Sequence, residues 1–163
     1  MKILIIRKLL GMVMAIALLA SSMSCTKNEE VKPDFLVFGS FYGFCVGEQC
    51  IEIFRLENGK LMEDTSDQYP SREEFYHGSY IDLSQEKYNE VKVLLSAFPQ
   101  QLLEDDKTQF GCADCTDQGG LYIESRIGSR HLFWILDQYR SNLPTYLHDF
   151  ADLVNEKIDY LKN

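Results

Sequence analysis

The alternation of apolar and polar positions predicts short strands, several of them joined by tight turns. The first strand-like run, Phe35–Phe41, is rich in aromatic and branched residues. Residues 51–63 and 121–136 each contain two such runs, separated by Asn58-Gly59 in the first segment and by Gly128-Ser129 in the second. Asn-Gly suits a type I′ turn because both residues accept positive φ, and a Gly-first pair suits type II′. We therefore predict two antiparallel hairpins.

Two longer segments have apolar residues at helical spacing. The first begins at Ser84, whose hydroxyl is a good helix cap, and ends before Pro99. The second starts near Pro144, with Asn142 as the predicted cap, and its apolar stripe continues through Leu161. Both segments are predicted to be amphipathic helices that bury one face.

Together these elements predict an α+β fold over residues 35–163, which form a single domain. A further strand-like run lies at residues 75–83. The expected architecture is an antiparallel sheet of about five strands, with two amphipathic helices packed on one face. Each half of the domain runs from a cysteine-containing loop through a hairpin to a helix, so we also predict a weak hairpin–helix repeat.

The first 24 residues have the pattern of an export signal. Three basic residues precede an apolar stretch at residues 9–20, and small residues lead up to Cys25. A membrane span needs ~20 apolar residues, and this stretch is shorter. Cleavage before Cys25 leaves that cysteine at the mature N-terminus, and residues 25–34 follow as a polar, flexible tether.

The residues around the predicted cleavage site, SSMSC, resemble the lipobox of bacterial lipoproteins, in which diacylglycerol is attached to the cysteine. The serine before Cys25 and the charged tract TKNEE after it resemble the lipoproteins of the Bacteroidota, where such a tract favours surface display. An ordinary secretory signal with an incidental cysteine is the alternative interpretation.

Three further segments, FGSFYGFCVGEQCIEIFRL, GCADCTDQGGLYIE and PTYLHDFADLVNEKIDYL, extend this resemblance over nearly all of the mature chain. They look like the small lipoproteins common in Bacteroidota, a family without an assigned activity. The resemblance implies acylation of Cys25 and a place in the cell envelope, at the periplasmic or exposed side of the outer membrane. It carries over no functional residues.

The negative net charge of the chain disfavours anionic partners. The formal net charge is −9, and removal of the three cations of the signal makes it −12 for the remaining 139 of 163 residues. Nucleic acids and anionic lipid headgroups are bound through clustered Lys and Arg, so neither is an expected partner. We expect the lipid alone to provide membrane association, and the partner to be a protein or a small molecule.

Two loops carry four cysteines between them. Residues 43–50, GFCVGEQC, and residues 111–120, GCADCTDQGG, each precede a strand-like run, and we predict that they meet at one end of the sheet. An even number of cysteines in an exported domain favours disulfides. Bridges within each loop are favoured slightly over bridges between the loops. The four candidates are Cys45, Cys50, Cys112 and Cys115.

We expect no cofactor, and structural zinc is the alternative, because four thiolates on two loops can form a tetrahedral site. The polar residues of the second loop, Asp114, Asp117 and Gln118, are candidates for ligand binding. Calcium binding by the two aspartates is disfavoured, because the loop lacks the spaced acidic series of an EF-hand.

Catalysis has little support in the sequence. A redox role for the Cys112–Cys115 pair is disfavoured because the neighbouring carboxylates of Asp114 and Asp117 oppose thiolate formation and a strand, not a helix, follows. The histidines, His77, His131 and His148, show no convergent spacing, and no nucleotide-binding or hydrolase motif is present. The sequence predicts a non-enzymatic binding or structural domain. The alternative is an envelope enzyme that uses the four loop thiols or a metal held by them.

Overall fold

The structure, a computed structural model, describes residues 32–163. The predicted signal peptide, Cys25 and most of the predicted tether lie outside that range. Within the described range the fold is α+β, with one seven-stranded sheet. Its strands are β1 (Phe35–Phe41), β2 (Ile51–Glu57), β3 (Lys60–Asp64), β4 (Tyr80–Asp82), β5 (Gln109–Phe110), β6 (Gly120–Ile127) and β7 (Arg130–Asp137).

The described chain also contains three α-helices and three short 3₁₀ turns. The α-helices are α1 (Gln85–Val91), α2 (Val93–Ala97) and α3 (Thr145–Leu161), and single 3₁₀ turns occur at Glu48–Cys50, Gln100–Leu103 and Arg140–Asn142. Helices α1 and α2 are two pieces of the one helix predicted after Ser84. No helix in residues 32–163 combines the length and the hydrophobicity that crossing a membrane requires.

The strand order is β4-β3-β2-β1-β6-β7-β5, with β1 at the centre. Strand β1 pairs antiparallel with β2 and β6 along its whole length, so that Phe38 faces both Phe54 and Ile123. The prediction of an antiparallel sheet of about five strands is wrong in two respects. There are seven strands, and the sheet is mixed because β5 pairs parallel with β7. Strand β5 has only two residues, too few to produce a recognisable alternation.

Both predicted hairpins are confirmed. In the turn between β2 and β3, Asn58 has φ 51° and Gly59 has φ 77°, as a type I′ turn requires. In the turn between β6 and β7, Gly128 has φ 59°, and Ser129 is not among the residues with positive φ, as expected for type II′. The two turns therefore set the register of the β2–β3 and β6–β7 pairs.

The helix starts are confirmed in one case and corrected in the other. The Ser84 hydroxyl accepts a hydrogen bond from the Lys87 backbone N–H at 3.2 Å, as an N-cap does. Helix α3, by contrast, begins at Thr145 with Pro144 at the N-cap position. The predicted cap by Asn142 is wrong, because the Asn142 side chain donates to Asp137 instead.

The two faces of the sheet have different covers. On one face, Phe38 and Trp134 pack against helix residues such as Leu94 and Phe150, which confirms that both predicted helices lie on one side. On the other face, a second cluster includes Val37, Tyr76, Tyr122 and Ile135. Strand β1 is consequently buried on both faces along its whole length.

The second face is covered by the connection between β3 and β4. In this crossing segment, residues 65–79, Phe75 packs edge-to-face against Phe133 and the Tyr76 backbone N–H donates to the buried Glu124 carboxylate. The sequence predicted a strand at residues 75–83, but only Tyr80–Asp82 pairs with a neighbouring strand. The aromatic residues before Tyr80 pack over the face of the sheet. They do not pair with a neighbouring strand.

Candidate functional site

The two cysteine loops emerge from the same end of the sheet. The first loop, residues 42–50, joins β1 to β2, and the second loop, residues 111–119, joins β5 to β6. Phe41 at the end of β1 pairs with Ile51 of β2 on one side and with Gly120 of β6 on the other. This pairing confirms the prediction that the loops meet, because three adjacent strands begin or end at them.

Asp114 links the two loops directly. Its Oδ2 atom accepts hydrogen bonds from the Gly43 backbone N–H and from the Tyr69 hydroxyl, both at 2.8 Å, and its Oδ1 atom accepts from the Gly119 N–H at 3.1 Å. Burial, followed by the hydrogen bond to Asp114, raises the pKa of Tyr69 to about 12, so this phenol stays a donor at neutral pH. Asp114 therefore holds the first loop, the second loop and the crossing segment together.

Each loop is closed by its own disulfide. Cys45 is bonded to Cys50 and Cys112 to Cys115, with Cα–Cα distances of 5.6 and 5.5 Å. The favoured within-loop connectivity is confirmed, and bridges between the loops are not formed. In the described part of the chain no group of three His, Cys, Asp or Glu side chains is arranged to hold a metal ion. Zinc binding by the four cysteines requires both bridges to be reduced first.

Asp137 anchors the second loop to the segment that leads into α3. Its side chain is buried and accepts from the Cys112 and Tyr139 backbone N–H groups at 2.9 and 2.8 Å. The side-chain amides of Asn142 and Gln118 donate to it at 2.8 and 3.3 Å. Burial opposes the charge, but the four hydrogen bonds outweigh burial and hold the pKa of Asp137 below its usual value.

The predicted binding residues of the second loop are mostly occupied inside the loop. Asp114 is used as described above. The Gln118 amide donates to the Cys112 carbonyl at 2.7 Å, and its oxygen accepts from the Thr116 N–H at 2.8 Å. Asp117 is exposed, with φ 60°. Of the three candidates, only Asp117 presents its side chain freely to solvent.

The first loop presents apolar side chains to solvent. Phe44 is 84 % exposed and Val46 is fully exposed, whereas Cys50 is buried at the base of the loop. Gly47 has φ 119°, a conformation that side-chain-bearing residues rarely adopt, and it turns the chain between Val46 and the 3₁₀ turn. We call Phe44 and Val46 the first-loop tip. Its signal in the sequence is two large apolar residues that flank a cysteine between two glycines, a pattern that by itself does not show whether the side chains are exposed.

Beside the tip lies a groove of about 490 Å³, which we call the first-loop groove. It is open to solvent. Its lining combines the aromatic ring of Tyr42, the disulfide and the Val46 side chain. The lining residues are Tyr42, Cys45, Val46, Gly47, Gln49 and Cys50.

A second groove of about 430 Å³, the acidic groove, shares Gln49 with the first. Glu52 of β2 and Glu63 of β3 line it. Asp67 and the C-terminal residues Leu161 and Lys162 complete the wall. Burial raises the pKa of Glu52, the charge of Lys162 lowers it, and the charges of Glu63 and Asp67 raise it again. The two grooves form one surface that changes from apolar to anionic.

A buried polar cluster lies under the crossing segment. Glu124 accepts from the Tyr122 hydroxyl at 2.5 Å and lies 2.8 Å from His131 Nε2, and the His131 ring stacks on Phe75 with centroids 3.8 Å apart. Burial, then the charge of Glu124, raises the pKa of Tyr122. His148 instead lies 3.0 Å from the Leu143 carbonyl. The contacts of Phe75 with His131 and of Tyr76 with Glu124 hold the crossing segment on the sheet, and none of the described cysteines takes part in them.

No model of a known protein family matches the chain, and no curated protein is similar to it in sequence.

Proposed function

We propose that this protein is a lipid-anchored domain of the cell envelope that binds a partner through its cysteine-loop end and performs no catalysis. The observation that supports binding most directly is the first-loop tip, with Phe44 84 % exposed and Val46 fully exposed on a loop closed by the Cys45–Cys50 disulfide. Exposed apolar groups beside a groove are typical of interaction sites. A loop held in shape before binding loses less conformational entropy when the partner arrives.

The anchor in this proposal is Cys25, acylated after cleavage of the signal and inserted in the outer membrane. Each buried methylene contributes ~0.8 kcal/mol, and a lipoprotein carries more than one acyl chain, which is enough for stable attachment. The net charge of −12 after signal removal leaves little attraction to anionic headgroups, so the acyl chains provide the membrane affinity.

The geometry of β1 supports an outward-facing site. Asp34, just before β1, accepts from the Gly128 backbone N–H at 3.2 Å, and Phe35 pairs with Glu57 beside the Asn58-Gly59 turn. The tether thus joins the sheet at its hairpin-turn end. The first cysteine loop follows the other end of β1, ~23 Å away at ~3.3 Å per residue for seven residues. An anchor at Cys25 keeps the turn end near the membrane and presents the cysteine loops away from it.

The catalytic alternative is an enzyme that uses the thiols of the four loop cysteines, or zinc held by them. It requires free thiolates, whereas the bridged form offers none. Thiol titration of the purified protein with and without reductant, together with metal analysis, separates the two functions. Four thiols that react only after reduction support the binding domain. Four free thiols with stoichiometric zinc would support the enzyme and contradict our proposal.

The anchor is tested by fractionation of cells that express the full chain or its Cys25→Ala variant. We expect the wild-type chain in the membrane fraction and the variant in the soluble envelope fraction. Lys27→Ala, a tether substitution that leaves the cysteine intact, is the matched control and should fractionate like the wild type. A Cys25→Ala variant that stays with the membranes overturns the lipid anchor.

Binding at the loop end is tested by a photocrosslinking amino acid placed at Val46 in the host cell. Ile81, on the edge strand β4, is 54 % exposed and serves as the control position. We expect a discrete adduct from position 46 that is absent from position 81. Equal labelling at both positions, or none at position 46, contradicts a binding site at the first-loop tip.

A further inference from the structure

The first-loop groove and the acidic groove share Gln49, so that a ligand lying across this residue contacts both. We propose that this combined surface binds an extended peptide segment of a protein partner, which places an apolar side chain in the first-loop groove and a lysine or arginine in the acidic groove. The inference rests on the proposed function and names the chemical class of the partner.

The apolar half of the surface is suited to one or two side chains. Its volume of about 490 Å³ lies within the ~300–1,000 Å³ typical of ligand pockets. Burial, followed by the charge of Asp159, raises the pKa of Tyr42, so the ring that lines the groove is a neutral phenol. The exposed Val46 stands at the rim of the groove. An apolar side chain that binds there covers apolar surface of the groove that is otherwise exposed to water, which favours binding.

The anionic half needs a cation that the chain does not supply in full. Phe54 pairs with Glu63 across β2 and β3, and Glu52 precedes Phe54 by two residues, so the two glutamates lie on the same face as diagonal neighbours. Among the residues described, neither glutamate is within ion-pair distance of a lysine or arginine. Among the described lining residues, Lys162 is the cation that faces Glu52 and Glu63, whereas Asp64 is buried and already accepts hydrogen bonds from Ser66, Tyr76 and Ser79.

The end of helix α3 forms one wall of the acidic groove. The helix has 17 residues and ends at Leu161, which lines the acidic groove. The C-terminal end of a helix carries a partial negative charge that favours nearby cations. Here Lys87 Nζ donates to the Leu161 carbonyl at 2.9 Å and offsets that charge, so Glu52 and Glu63 provide the negative field of the groove, which repels the phosphate groups of nucleic acids and lipids. A positively charged protein segment fits this surface in both its charge and its apolar part.

The test selects peptides from a random twelve-residue display library against the purified full-length protein. We expect enriched sequences to contain a large apolar residue within four positions of Lys or Arg. The best sequence is then synthesised with a fluorescent label, beside a copy in which the basic residue is replaced by serine. Fluorescence polarisation should show that salt weakens binding of the basic peptide more than binding of its serine copy, because salt screens the charge pair.

Three variants assign the two halves of the surface. Val46→Ser should weaken both peptides about tenfold, the effect of losing roughly one buried apolar group. The double variant Glu52→Gln with Glu63→Gln should weaken the basic peptide about fivefold and leave the serine copy unchanged, as expected for partly exposed charge pairs. Glu90→Gln, an exposed substitution on α1, is the control and should change neither affinity. Equal urea midpoints for all variants show that folding is intact.

Each contrary outcome is distinct. Enriched peptides that bind through Val46 but carry no basic residue overturn the peptide class and leave the proposed function standing. Calcium ions that displace the basic peptide and lose their effect in the glutamine double variant show a cation site instead, and overturn the inference. Failure to select any Val46-dependent peptide also overturns it. In that case the crosslinking at Val46 in cells still decides whether the loop end binds another kind of partner.

Discussion

The replacement Asp137→Asn should destabilise the domain by about 3 kcal/mol at pH 7. The Asp137 carboxylate accepts four hydrogen bonds, two at each oxygen, and it is buried. An asparagine keeps one oxygen and turns an amide N–H₂ toward the donors on the other side, so two bonds are lost. A hydrogen bond to a charged group contributes ~1.5–3 kcal/mol, and removal of the buried charge offsets part of the loss.

The stabilisation by Asp137 should depend on pH, and the direction of its pKa shift fixes the direction of that dependence. Hydrogen bonds hold the pKa of Asp137 below its usual value in the folded state. The carboxylate therefore contributes its full stability above the unfolded value of ~3.9, and loses it as the pH falls through the lower, folded pKa. The difference between wild type and Asp137→Asn should be largest at pH 7 and should shrink steadily below about pH 4.

Urea unfolding from pH 7 to pH 2.5, followed by circular dichroism, measures this difference in the free energy of unfolding. Asp106→Asn, at an exposed position, is the control and should differ from wild type by less than ~0.5 kcal/mol. A loss below ~1 kcal/mol for Asp137→Asn at pH 7 refutes the role given to these hydrogen bonds. A loss that does not shrink at low pH refutes the assigned charge.

Two further changes test the packing of the sheet and the link between the loops. Gly39→Ala should lower the free energy of unfolding by about 3 kcal/mol, because a Cβ at this central position of β1 collides with the Glu52 carbonyl and with Ile53; a urea midpoint equal to that of the wild type contradicts this. Asp114→Ala should cost about 2 kcal/mol through its three lost hydrogen bonds. It should also lower the pKa of Tyr69 from about 12 in an ultraviolet titration, by the part that the hydrogen bond to Asp114 adds to the effect of burial. An unchanged Tyr69 titration argues against the loop link.

The local elements follow from the sequence because their causes are local. The positive φ of Asn58 and Gly59 fixes one hairpin, and the Ser84 cap fixes the start of α1. The same holds for the apolar stripe of α3. These features depend on residues a few positions apart, so that a pattern read along the chain contains them.

Contacts between segments far apart in the sequence determine the rest of the fold. The crossing segment carries aromatic residues that resemble a strand, and only the tertiary structure shows Phe75 on His131 and Phe133. The same limit applies to β5, whose two residues pair with β7. Pairing and covering bury similar side chains, so the composition of a short apolar run does not distinguish them.

For the candidate site, the sequence determined that two cysteine loops belong together, and it favoured a bridge within each. It did not reveal that Asp114 and Gln118 serve the loops themselves, because their partners lie across the fold or depend on loop conformation. Nor did it place Gln49 between an apolar and an acidic groove. Exposure and charge complementarity are properties of a surface, and only the folded chain brings Val46, Glu52 and Glu63 onto one.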